Sequence, residues 1–189
     1  MSSEFNEKNY SIKMDKTIQS YKKDLSSLRT GRANASMLDM VKVDIYGQMM
    51  PVNQVASISV PEARLITIQV WDQTNIKAID SAIQKSDLGV NPQIDGSVLR
   101  IKIPDLTEER RKELIKVLKN ISEKNKVSIR NIRREANDEL KQLIKDKKIS
   151  EDANKILEKT IQKFTDDNIL NIDKISENKE KEILQVWTN

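Results

Sequence analysis

The chain has 189 residues, room for one or two domains, and carries neither cysteine nor histidine. Disulfides, thiolate nucleophiles, imidazole bases, haem ligation and ordinary zinc sites are therefore excluded, and most hydrolase and oxidoreductase chemistry goes with them. Charged residues make up 33% and aromatics only 4%, so the core must be aliphatic and thin, as in long charged helices.

All four glycines and all four prolines lie between Gly31 and Pro104. The flanks can be uninterrupted helix, whereas the middle cannot. In the first flank Met14, Ile18, Tyr21, Leu25 and Leu28 follow spacings of four and three, an apolar stripe along one helix face. Between the flanks the period changes to two: Val41, Val43 and Ile45, then Ile66, Ile68 and Val70, then Leu99, Ile101 and Ile103 alternate as half-buried strands, with a weaker strand at Ala56–Val60. Ile76, Ile79 and Ile83 mark one short helix ending near Leu88-Gly89, and Asp95-Gly96 supplies hairpin chemistry before the last strand.

In the second flank Leu114, Leu118, Ile121, Asn125, Ile129, Ile132, Ala136, Leu140 and Leu143 repeat with a period of eleven. Leu157, Ile161, Phe164, Asn168, Ile172, Ile175, Lys179, Ile183 and Val186 do the same. Eleven residues in three turns keep a seam on one face of a nearly straight helix. Thr107 before Glu108-Glu109 and Ser150 before Glu151-Asp152 suit helix starts, since acidic first turns complement unpaired amide donors. Two helices of about 55–60 Å are expected. The reading is an α+β chain of two domains: a long three-helix bundle from 1–30 and 105–189, and a small β/α/β sandwich inserted at 31–104. Two crossings join them, near Thr30-Gly31-Arg32 and Ile103-Pro104-Asp105.

No apolar run approaches a membrane span, and Met1-Ser2-Ser3-Glu4-Phe5 lacks the basic and apolar regions of a secretory signal. A soluble cytoplasmic protein, or the processed form of an organellar one, is expected. The net charge of +4 is unevenly spread: +2 over 1–30, −1 over 31–105, +6 over 106–148 and −3 over 149–189. Such asymmetry points to a polyanionic partner without choosing among nucleic acid, membrane and acidic protein.

Phosphate-binding loops are missing, and four scattered glycines cannot build one, so nucleotide hydrolysis by this chain is not expected. Acidic neighbours such as Glu108-Glu109 and Asp166-Asp167 point about 100° apart on a helix and do not converge on one atom. The strongest feature is a basic stripe on the second long helix: Lys112, Lys116, Lys119, Lys126, Arg130, Arg134 and Lys141 share one arc away from the seam. Arg133 sits between stripe and seam, where its stem can pack while its guanidinium reaches out. Clustered arginines favour bidentate phosphate contacts, and the scarcity of aromatics favours backbone or shape recognition of folded RNA over base stacking. A solvated lysine-rich face neutralised by Glu123, Glu135 and Glu139 explains the same charges. On charge alone the two readings stand equal. Arg29 and Arg32 likewise either hold a ligand or cap the first helix at its negative end.

Three stretches carry more information: Leu28-Arg29-Thr30-Gly31-Arg32-Ala33; Ser86-Asp87-Leu88-Gly89-Val90-Asn91-Pro92; and Leu106-Thr107-Glu108-Glu109-Arg110-Arg111-Lys112 with Val127-Ser128-Ile129-Arg130-Asn131-Ile132-Arg133-Arg134-Glu135-Ala136-Asn137-Asp138. In these, and in segment order and insertion point, the chain resembles the bacterial ribosome recycling factor family; the match is least clear at Gln185-Val186-Trp187-Thr188-Asn189. The resemblance implies an L-shaped two-domain protein without catalytic activity, cofactor or metal. It also implies a monomer that binds the large ribosomal subunit and, with elongation factor G and GTP, disassembles the post-termination ribosome. By that resemblance Arg130, Arg133 and Arg134 match the ribosomal-RNA-binding arginines, and Arg29 and Arg32 the basic pair beside the hinge. Arg110 and Arg111 of the matching segment, with Lys126 and Lys141 of the stripe, complete the candidate RNA-binding set. Thr30, Gly31, Pro104 and Asp105 form the candidate hinge. The alternatives are a helical-bundle interaction module and another ribosome-associated RNA-binding protein.

Overall fold

The computed structural model describes residues 5–185, so residues 1–4 and the tail from Val186, the expected last seam position, lie outside the described residues. In chain order the elements are α1 (Glu7–Ser26), β1 (Lys42–Ile45), β2 (Gln48–Pro51), β3 (Ala56–Glu62), β4 (Leu65–Val70), α2 (Ile76–Lys85), β5 (Gln93–Asp95), β6 (Val98–Lys102), α3 (Glu108–Lys145) and α4 (Glu151–Leu184). They fall into two units. One comprises residues 5–29 and Glu109–Leu184; the other comprises Thr30–Glu108.

The larger unit is helical. Asn6 caps α1 by accepting from the Lys8 amide at 3.1 Å, and Tyr10, Met14, Ile18, Tyr21 and Leu25 form its buried seam. The helix stops at Ser26, so Leu28 falls outside it and is only half-buried. α3 runs 38 residues without a break and buries Leu114, Leu118, Asn125, Ile129, Ala136, Leu140 and Leu143 of the eleven-residue repeat, together with Ser122, while Ile121 and Ile132 of the repeat are half-buried. After α3, Lys147 takes a left-handed φ of 56°, and the Lys147 and Lys148 amides return to Ile144 and Leu143 carbonyls at 2.9 Å each, satisfying the helix end. Ser150 Oγ then accepts from the Ala153 amide at 3.1 Å and starts α4.

One polar layer crosses the bundle. The buried Tyr21 phenol of α1 donates to Ser122 Oγ of α3 at 2.7 Å, and Ser122 passes its own proton to the Leu118 carbonyl at 2.8 Å. Ser176 Oγ of α4 lies 3.2 Å from the same hydroxyl. A side-chain shift of one turn in any helix would strand a buried hydroxyl, at a cost of about 1–3 kcal/mol, so the layer specifies the register.

The smaller unit has its own aliphatic core. A four-stranded antiparallel sheet in the order β3-β4-β6-β5 is joined by the separate β1-β2 hairpin. Val43, Ile45, Ile66, Ile68, Val70, Leu99 and Ile101 enter the core with Ile76, Ile79 and Ile83 of α2. Two strands have no counterpart in the alternating pattern. β2 turns back on β1 through Tyr46-Gly47, both at positive φ (52° and 83°). β5 is a three-residue exposed edge paired with β6 across Gly96-Ser97. α2 ends at Lys85, three residues before Leu88.

Where α1 meets α3, the Tyr10 ring stacks on Phe5 at 5.4 Å and lies under the Lys13 ammonium, while its hydroxyl donates to Glu139. Burial first, then the Glu139 hydrogen bond and the charges of Glu139 and Glu135, push the phenol pKa above its ordinary value. A group whose folded pKa is raised contributes stability that is complete below its unfolded pKa, about 10 for tyrosine, and is lost as pH rises above it. The stability advantage of wild type over Tyr10→Phe, measured by urea unfolding, should hold from neutral pH to about pH 10 and shrink beyond it; an advantage that is flat through the alkaline range would contradict this assignment.

Candidate nucleic-acid interface

At about 100° per residue along α3, Lys112, Lys116, Lys119, Lys126, Arg130, Arg134 and Lys141 occupy an arc of about 80° on the side away from the buried seam. Their electrostatic partners differ. Lys116, Lys119 and Lys141 are exposed and have no ion pair among the described residues, and Arg134 contacts only the neutral Asn131 side chain, at 3.3 Å. Arg130 is held by Glu123 at 3.0 Å, seven residues back on the same face. Lys126 lies only 20% exposed against Asp173 of α4 at 2.5 Å, so its charge is spent on tying two helices together.

The acidic residues decide between a phosphate-binding face and a neutralised one. Of Glu123, Glu135 and Glu139, only Glu123 lies within the stripe. Glu135 pairs with Lys13 of α1 at 2.6 Å, and Glu139 accepts from Tyr10. Both carboxylates serve the α1–α3 contact and leave the opposite face cationic. By contrast, Lys163, Lys179 and Lys181 of α4 each pair within their own helix, with Asp167, Glu182 and Glu177.

The remaining candidates are spread more widely. Arg133 lies at the edge of the stripe, half-buried, with its guanidinium 3.4 Å from Gln162 of α4 and its Nε without a partner. Arg111 is turned toward the seam, its Nε also buried and unpartnered, while Arg110 points to a third side and pairs with Glu113 at 2.9 Å. Arg29 is exposed at the end of the larger unit; Arg32 is exposed at the start of the smaller one. α3 therefore brings Arg130, Arg134 and Lys141 onto one face with Lys116 and Lys119, places Arg133 beside them, and does not bring Arg110 or Arg111 to it.

The candidate hinge residues all belong to the smaller unit. Thr30 is buried, and Gly31 takes φ +77° with a Cβ position only 3.3 Å from Leu106 Cγ, so both conformation and space call for glycine there. The Ala33 amide donates to Ala63 at 2.7 Å and the Ile103 amide to Arg64 at 2.8 Å. Arg64, which carries no sequence signal, donates through Nε to the Ile103 carbonyl at 3.0 Å and pairs with Asp105 at 2.9 Å. One guanidinium thus fastens the returning chain segment.

Among the described residues no helix is long and apolar enough to cross a membrane, and no group of three or more acidic residues is placed to hold a metal ion. Because Asp173 holds Lys126, Asp173→Asn should release that ammonium and raise the salt concentration at which the protein elutes from immobilised heparin; an unchanged or lower elution point would show that Lys126 adds nothing to the polyanion-binding face.

Comparison with known proteins supports the same frame. The family model described as ribosome recycling factor matches residues 21–184. A ribosome-recycling factor of Zymomonas mobilis subsp. mobilis is 52% identical over 95% of this chain and 97% of its own. One from Syntrophomonas wolfei subsp. wolfei is 57% identical over 92% and 94%. A solution structure of a ribosome recycling factor superposes with a TM-score of 0.76 at 43% identity, covering 95% of this chain and 96% of that one. A second structure, of the T. thermophilus factor described with E. coli elongation factor G bound to the E. coli post-termination complex, gives a TM-score of 0.63 at 46% identity over 94% and 96%. With a breaker-free bundle, an inserted sheet unit and this degree of identity along nearly its whole length, the chain belongs to the ribosome recycling factor family.

Proposed function

We propose that this chain binds large-subunit ribosomal RNA through the basic face of α3 and, together with elongation factor G and GTP, takes apart the post-termination ribosome. The family is one of non-catalytic translation factors acting in ribosome recycling, so the work must come from binding energy and geometry. The single observation that carries the RNA-binding reading is the placement of Glu135 and Glu139. They are committed to α1, and Lys116, Lys119, Arg134 and Lys141 are left without a carboxylate partner among the described residues.

The division of charge supports a division of labour. Residues 106–148 hold fourteen basic against eight acidic side chains, whereas 31–105 carry a net −1. RNA affinity then resides in the bundle, which anchors, and the inserted unit is the arm on which elongation factor G acts. Pushing on one part separates ribosomal subunits only if another part holds. Thr30, Gly31, Pro104 and Asp105, at the two crossings between the units, form the hinge. The protein acts as a monomer in the cytoplasm.

Sedimentation with isolated ribosomal subunits tests the anchor, and light scattering of post-termination ribosomes tests the splitting. The protein should pellet with large subunits at low salt, and splitting should require the protein, elongation factor G and GTP together. A protein that binds neither subunit at low salt, as a bundle with an idle basic face would behave, overturns the reading.

A further inference from the structure

Between the β1–β2 hairpin and α2 of the smaller unit lies an open cleft of about 480 Å³. Met40, Val41 and Met49 line one wall, and Ala78, Ser81 and Ala82 the other. On α2 those three residues and Lys85 fall at i, i+3, i+4 and i+7, so they form one face beside the Ile76, Ile79 and Ile83 face that enters the core. The short side chains leave a trough that longer ones would fill. Opposite them Met40 is 89% exposed and Met49 63%, a large apolar surface of unbranched side chains that can adjust to what they meet.

The charge at this cleft is net positive, two lysines against one carboxylate. Lys42 and Lys85 both line it and make no hydrogen bond or ion pair among the described residues. The one carboxylate in the lining, Asp44, has its Oδ1 engaged by the Gly47 amide at 2.9 Å, which closes the hairpin turn. Asp39 and Asp80 do not line the cleft.

From this we infer that the cleft docks a protein segment carrying carboxylates beside aliphatic side chains, as an acidic amphipathic helix does. The trough is too open to enclose a small molecule, which needs most of its surface covered, but a helix laid along it supplies its own cover. Basic segments meet two unpaired ammonium groups. Nucleic acid meets an apolar floor with no aromatic ring for its bases. The inference stands on the smaller unit alone and does not depend on RNA binding by the bundle.

The test is an amide-shift titration of the ¹⁵N-labelled full chain with a synthetic amphipathic helical peptide, leucine on one face and glutamate on the other. Saturable shifts should be confined to residues 40–49 and 78–86. Lys42→Glu/Lys85→Glu and Met40→Ser/Met49→Ser should each weaken binding about tenfold or more. Lys77→Glu/Lys102→Glu, which reverses two lysines of the same unit outside the cleft, should change it by less than about twofold. All the side chains altered in the cleft are exposed, and an unchanged spectrum elsewhere verifies that the variants fold. Shifts confined to α3, no shifts at all, equal binding by a peptide with serine in place of leucine, or wild-type affinity in either cleft variant would each overturn the inference.

Discussion

An unbroken helix with one buried seam dictates most of this molecule. α3 spans 38 residues, about 57 Å at 1.5 Å per residue, and must keep the same face inward throughout. A strict seven-residue repeat would drift around a straight helix and force a supercoil, whereas eleven residues in three turns hold the seam in place. Once the seam is inward, every other residue of α3 has a fixed direction. The cationic arc can then run from Lys112 to Lys141 as one continuous strip. The hydroxyl layer of Tyr21, Ser122 and Ser176 adds a fixed position along the axis, which the aliphatic seam by itself specifies only loosely.

The same helix separates its charges by function. Its carboxylates at Glu135 and Glu139 face α1, where they fasten Lys13 and Tyr10, and its unpaired cations face away. An exposed pair such as Lys13–Glu135 contributes about 0–1 kcal/mol to stability, so its larger consequence is for the surface potential of the opposite side. Lys126 and Arg130 show the reverse arrangement. Asp173 and Glu123 restrain these two, and a polyanion must compete with those carboxylates before it can engage either.

The long helices were legible because breakers, acidic first turns and seam period agree, and α3 and α4 begin at Glu108 and Glu151, where the capping pattern of Thr107 and Ser150 places them. The stripe was legible for a simple reason: angular position follows from residue number alone. Partners in space were not. Nothing in the spacing of Glu135 and Glu139 says that α1 takes them, or that Asp173 takes Lys126, because these pairs join residues more than forty positions apart. β2 is not legible because Gln48-Met49-Met50-Pro51 has no alternation and its turn places Tyr46 in a left-handed conformation that usually belongs to asparagine or glycine. Arg64 was invisible for the same reason as Asp173: its role exists only once the Ile103–Asp105 segment lies beside it.

The central claim is that the outer face of α3 meets phosphates. The most direct measurement is the dependence of large-subunit affinity on salt for wild type and for Arg130→Ala/Arg134→Ala. If both guanidiniums contact RNA phosphates, the double variant binds more weakly and the slope of log affinity against log salt becomes shallower by about two. An unchanged affinity and slope in a variant that unfolds at the wild-type urea concentration would contradict the account.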